Sequence, residues 1–159
     1  MRSARSARTV WTMTTGGTEV ATTSRRNVEQ FLLVALGVMF LPAGLQAAFF
    51  PRSFFDDFPV GRGWIAGADP FYGEHLVRDV GALFLAMVVV SLWAWWEPAL
   101  CLPVAVAWLV QGTLHLVYHV GHLDGLDGVD KVGMLGSLIV VPIIATSAIV
   151  LSLRDRARA

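Results

Sequence analysis

Apolar residues fill four stretches of the chain, and short polar connections separate them. The stretches run from about Phe31 to Phe50, Leu76 to Trp96, Leu100 to Val120 and Val132 to Leu153. A helix needs about 20 apolar residues to cross the hydrocarbon core, and each stretch approaches or exceeds that length. The bilayer core offers no water to exposed backbone groups, so spans of this composition must be helical. Short connections then make neighbouring helices antiparallel. The pattern predicts an all-α fold, a four-helix transmembrane bundle over residues 28–153.

The connections carry their own signals. In "WWEPAL", Pro98 suits a first helical turn, and Trp95 and Trp96 suit a membrane interface. In "HLDGLDGVDK", Gly125 and Gly128 give turn freedom and Asp130 is the expected N-cap of the fourth helix. The longest connection, "PRSFFDDFPVGRGWIAGADPFYG", mixes Phe54, Phe55, Phe58, Trp64, Phe71 and Tyr72 with charged residues and glycines. It reads as an aromatic interfacial loop between helices one and two, either a plain membrane anchor or a lid over a pocket that includes Asp56 and Asp57. Pro42 and Pro142 are expected to kink the first and fourth helices. Residues 1–27, rich in Ser, Thr, Gly and Arg, show no apolar period and read as a disordered basic tail, with Met1 or Met13 as the start. Residues 154–159 form a second basic tail.

Composition strengthens the membrane reading. The chain is 55% hydrophobic and 15% charged, with a mean hydropathy of +0.62, too apolar for an ordinary soluble domain. The first stretch is longer than a signal-peptide core and no clean A-x-A site follows it, so a retained helix is favoured. The lone cysteine, Cys101, forms no internal disulfide and reads as a packing residue. The formal net charge is zero, but its distribution is polarised. Arg2, Arg5, Arg8, Arg25 and Arg26 precede the first span, and Arg154, Arg156 and Arg158 follow the last. By the positive-inside bias both termini are cytoplasmic in a multi-pass protein of the cell membrane. The lipid bilayer is its expected surrounding, no nucleic-acid partner is expected, and a homo-oligomer or a membrane partner is left open.

Three of the four histidines lie in "HLVYHVGHLDG". Helical residues advance by about 100°, so His115, His119 and His122 share one stripe, with Gln111 and Tyr118 beside them. An imidazole stripe gains nothing from lipid and should face the bundle interior. The second helix begins "GEHLVRDVGALF", where Glu74 with Arg78 and His75 with Asp79 are spaced four apart. Both polar sets lie at the same depth, so the sequence predicts one cluster of Glu74, His75, Arg78, Asp79, His115, His119 and His122. His122 with Asp124 also reads as a turn cap, and Arg78 with Asp79 as a structural pair.

That cluster suggests several chemistries. His115 and His119, at i and i+4, with His75 and Asp79 form a candidate site for a single zinc or non-haem iron ion, and a haem between His75 and a helix-three histidine is a further candidate. Metal-free acid/base chemistry is the second option, with His115, His119, Asp79 and Glu74 as proton-handling groups and Arg78 holding an anionic group. The function expected is binding or transformation of a small lipophilic molecule. Its alternatives are a proton-linked transporter subunit and an accessory protein whose polar cluster is structural. The order "FFDDFP", "GEHLVRDVGAL" and "HLVYHVGHLDGL" resembles that of small bacterial four-helix membrane proteins of unassigned function, and over residues 31–153 the architecture is similar to the broader DoxX-like group. The resemblance implies a four-helix membrane bundle and brings no catalytic residues with it.

Overall fold

The computed structural model describes residues 16–157. Its long helices are α1 (Gly16–Phe49), α4 (Glu74–Trp93), α5 (Cys101–Val120) and α6 (Gly128–Arg156), and two short ones, α2 (Pro51–Asp57) and α3 (Trp64–Ala68), occupy the long connection. No strand occurs among the described residues. The fold is the all-α four-helix bundle that the apolar pattern predicts. Arg2, Arg5, Arg8, Met13 and Arg158 lie outside the described residues.

Several boundaries differ from the sequence expectation. α1 starts at Gly16, within the stretch expected to lack structure. No proline interrupts the chain between Gly16 and Pro42, so a helix held by the apolar span propagates backward at little cost. A 3-10 turn, Pro98–Leu100, leads into α5 with Glu97 as its cap. Asp127, not Asp130, caps α6, its side chain accepting from the Asp130 N–H at 2.8 Å. Asp127 is placed to reach the third N–H of the helix, and this frees the Asp130 carboxylate for other partners.

The bundle is two helix pairs, α1 with α4 and α5 with α6, joined chiefly along α1 and α6. Gly81 sets the first pair, because a Cβ there would collide with the backbone at Ala47 and Ala48. Backbones this close gain dispersion contacts that larger residues prevent. Toward the chain termini, Leu33, Leu36, Val104, Trp108, Val141 and Ala145 form the main core. Trp108 is fully buried, and its indole N–H donates to the Ser91 hydroxyl at 2.8 Å, linking α5 to α4. Gln30 similarly ties α1 to the end of α4, its amide donating to the carbonyls of Ala94 at 3.2 Å and Trp95 at 2.9 Å. A smaller core of Ala43, Ala47, Phe54 and Phe84 lies toward the α2–α3 end. Large apolar side chains such as Phe31, Val89, Leu114, Val117 and Ile143 remain exposed on the outside of the bundle.

Candidate functional site

Beside the smaller core, and lined by its Ala43, Phe54 and Phe84, lies a cavity of about 300 Å³. All four long helices contribute: Met39, Phe40 and Ala43 from α1, Phe84 from α4, His115 and His119 from α5, and Met134, Ser137 and Leu138 from α6. Phe40 rests on Trp108 at 4.7 Å and against Phe84 at 5.0 Å, so the buried indole supports the cavity wall. Pro42 and Pro142 lie within α1 and α6, near the cavity's residues on each. Each proline lacks the N–H that would bond the carbonyl four residues back, that of Val38 in α1 and of Leu138 in α6.

The connection between α1 and α4 forms the roof. Phe54, Phe58, Pro59, Trp64 and Ile65 line the cavity from above. Part of the segment thus covers the cavity, while Val60 and Phe71 remain exposed. Two contacts fix it to the start of α6. The Arg62 guanidinium donates to Asp130 Oδ1, and the Trp64 indole N–H donates to the same oxygen at 2.7 Å. The adjacent carboxylate raises the Arg62 pKa further above its usual value. Behind this latch the backbones of Gly67 and Gly125 meet, with no room for a Cβ on Gly125. At the other edge Arg52 lies 5.0 Å above the Tyr72 ring and pairs with Asp56 at 2.5 Å.

The imidazole stripe divides. His115 and His119 stand side by side in the cavity wall with ring centroids 4.7 Å apart. His119 is 7% exposed, and its Nδ1 is buried with no hydrogen-bond partner among the described residues. His122 leaves the stripe at the end of α5: its ring stacks on Tyr118 at 4.0 Å, and its Nδ1 bonds the Tyr118 carbonyl at 2.8 Å. This contact, not one with Asp124, is what His122 makes at the helix terminus. Tyr118 is largely exposed, and Gln111 is half-buried with its carbonyl oxygen unpartnered.

The predicted joint cluster is not formed. Glu74, His75, Arg78 and Asp79 lie away from the cavity, on the exposed start of α4. Arg78 donates to Glu74 at 2.9 Å and to the Ala48 carbonyl at 2.7 Å, so it leans on α1 and not on Asp79. His75 faces Asp79 at 3.4 Å with its side chain 94% exposed. The reason is the Gly81 contact, which turns the start of α4 toward α1, while α5 pairs with α6. Glu74 and Arg78 instead border an open groove with Arg52, Asp56, Asp57 and Tyr72.

This separation decides the metal question as the residues pose it. Zinc is held by three or four protein ligands, and among the described residues no group of three or more His, Cys, Asp and Glu side chains converges. His115 and His119 have neither His75 nor Asp79 beside them in the cavity wall, so the proposed zinc, iron and haem sets do not fit. Sequence reasoning missed Ser137, the Asp130 latch and the Trp108–Ser91 bond. Depth along a helix was readable, but which helices pair was not.

The four helices Arg26–Phe49, Glu74–Trp93, Pro98–Val120 and Gly128–Arg156 are each long and apolar enough to cross a membrane. The fold is that of a multi-pass integral membrane protein, with the lipid bilayer around its apolar flanks. No family model, curated protein or solved structure matches this chain.

Proposed function

We propose that this membrane protein holds a small, mainly apolar molecule in the roofed cavity, with His119 fixing the molecule's polar end. The observation that carries the reading is the imidazole pair of His115 and His119 set, with the Ser137 hydroxyl, in the wall of an otherwise largely apolar cavity. A polar group taken from water without a partner costs about 1–3 kcal/mol, so an imidazole kept in an apolar wall gains from a ligand that supplies a hydrogen bond. The cavity volume falls at the small end of ligand sites, and mostly apolar walls with a few polar atoms are their usual lining. A neighbouring imidazole also offers a bound molecule a proton acceptor, and the 4.7 Å His115–His119 contact favours acid/base chemistry as the second reading.

In this reading the roof lies at the outer face of the membrane, with both termini in the cytoplasm. The support is the positive-inside bias: Arg2, Arg5, Arg8, Arg25, Arg26, Arg154, Arg156 and Arg158 stand on the terminal side of the spans, against Arg52, Arg62, Arg78 and Lys131 on the roof side.

The test is titration of the full chain in mild detergent with tert-butylbenzene, excited at 295 nm to read tryptophan emission, since Trp64 lines the cavity. Saturable binding is expected in the wild type, and its loss in Ala43→Phe, which fills the cavity. A response that does not saturate, or that is unchanged in a folded Ala43→Phe, would sink the reading.

A further inference from the structure

The cavity's polar atoms narrow its ligand further. Among the described residues no Asp, Glu, Lys or Arg lines it. An ionised ligand would therefore lose its hydration with no opposite charge to replace it, a cost of several kcal/mol in an apolar site. The ligand's polar group must be neutral.

The direction of the hydrogen bonds narrows it again. Ser137 donates its hydroxyl hydrogen to the Met134 carbonyl at 2.8 Å, so toward the cavity its oxygen offers lone pairs alone. Each ring nitrogen of His119 is an acceptor in one neutral tautomer and a donor in the other. A ketone, ether or quinone oxygen only accepts, and would satisfy one tautomer of His119 while giving Ser137 nothing. A hydroxyl both donates and accepts: it matches His119 in either tautomer, and where the imidazole donates, the hydroxyl accepts from it and gives its own hydrogen to Ser137.

The walls set the body of the ligand. Phe40, Phe54, Phe58, Phe84 and the Trp64 indole surround the space. Aromatic pairs add about 0.5–1.5 kcal/mol beyond area burial in edge or offset contact. A volume of about 300 Å³ holds a substituted ring and not a full lipid chain.

We infer that the cavity takes a neutral, ring-bearing hydroxyl compound of the phenol class, its hydroxyl placed between His119 and Ser137. The inference rests on the binding function proposed above. It makes the imidazole a specificity group, because a hydrocarbon of the same shape gives it no hydrogen bond whereas a phenol does. It also separates the cavity from the outer groove, where Arg52 and Arg78 stand beside Asp56, Asp57 and Glu74 and where charged molecules are better suited.

Three probes of one shape test it: 4-tert-butylphenol, tert-butylbenzene and 4-tert-butylbenzoate. Each is titrated into the full chain in detergent, its free concentration corrected for measured micelle partition. The phenol should bind about tenfold more tightly than the hydrocarbon, the gain of one well-made hydrogen bond in a site that otherwise leaves a polar atom unpaired. The benzoate should bind at least as weakly as the hydrocarbon. In His119→Leu the phenol should fall to the affinity of the hydrocarbon, whose own binding stays within about twofold. Ser137→Ala is the second variant, on an exposed position that leaves the fold undisturbed, and should reduce the phenol preference alone. Equal binding of phenol and hydrocarbon would overturn the inference and leave the binding function standing, as would preference for the benzoate. Binding of none of the three would overturn both.

Discussion

Two buried polar side chains on α5 have opposite bookkeeping, and the contrast separates structure from function at the level of single residues. Trp108 is fully buried and its N–H is satisfied by Ser91. Ser91→Ala strands that donor and should cost about 1–3 kcal/mol, seen as a lower unfolding temperature in detergent. Adding Trp108→Phe removes the stranded donor, so the double variant should lose less than the sum of the two single losses. Additive losses would mean that the bond contributes nothing. His119, equally enclosed, has an unpaired Nδ1. His119→Leu replaces an unpaired polar group with an apolar one of similar size and should leave the empty protein as stable as before or more so. A marked fall in unfolding temperature would instead assign His119 to a structural network.

The roof is the element whose stability is most local. It consists of two short helices, joined to the bundle through Phe54 and Phe55 below, the Gly67–Gly125 backbone contact, and Asp130. Asp130→Ala removes the acceptor of both Arg62 and Trp64. The expected result is faster amide exchange over residues 61–68, with exchange in α5 unchanged, because the latch lies outside the bundle core. Arg62 is nearly half exposed, and an ion pair with one solvated partner contributes little alone, so Arg62→Ala should have a smaller effect than Asp130→Ala, and Trp64→Phe should share in it. α1 and α4 offer the opposite case. Gly81→Leu puts a side chain where two backbones touch, and overpacking of that kind costs about 1–3 kcal/mol or more. The four helices were legible in the sequence because bilayer thickness and backbone hydrogen bonding leave an apolar run of that length one solution. Helix face was legible for His115 and His119 through the 3.6-residue period. The partner of each face was not, since it depends on Gly81 bringing α4 onto α1, a contact between residues more than thirty apart that no local period encodes. The same limit explains Asp130: a helix-start aspartate reads as a cap until Asp127 takes that place and Arg62 arrives from the roof.

Taken as a whole, the molecule has an apolar girdle and two polar ends that differ in kind. One end carries arginines beside the chain termini, and the other carries a roof with acidic turns over the cavity. A ligand that dissolves in lipid need not cross water to reach such a cavity, since the rim residues Met39 and Ser137 are exposed on the flank of the bundle that faces the bilayer. The direction of the bundle in the membrane therefore determines which leaflet supplies it. Charge bias near span ends sets orientation through Lys and Arg, and the proposed orientation, terminal end cytoplasmic, is open to a direct test. Single cysteines on a Cys101→Ala background read this directly. Val60, 98% exposed on the roof, and Glu97, exposed in the α4–α5 connection, lie at opposite ends. A membrane-impermeant maleimide applied to intact cells should label Val60→Cys and spare Glu97→Cys until the cells are opened. The reverse pattern would turn the bundle over and move the cavity to the cytoplasmic leaflet, with its geometry unchanged and its source of ligand exchanged. Labelling of both positions in intact cells would mean that the chain inserts in two orientations, and the charge bias would then not fix its direction.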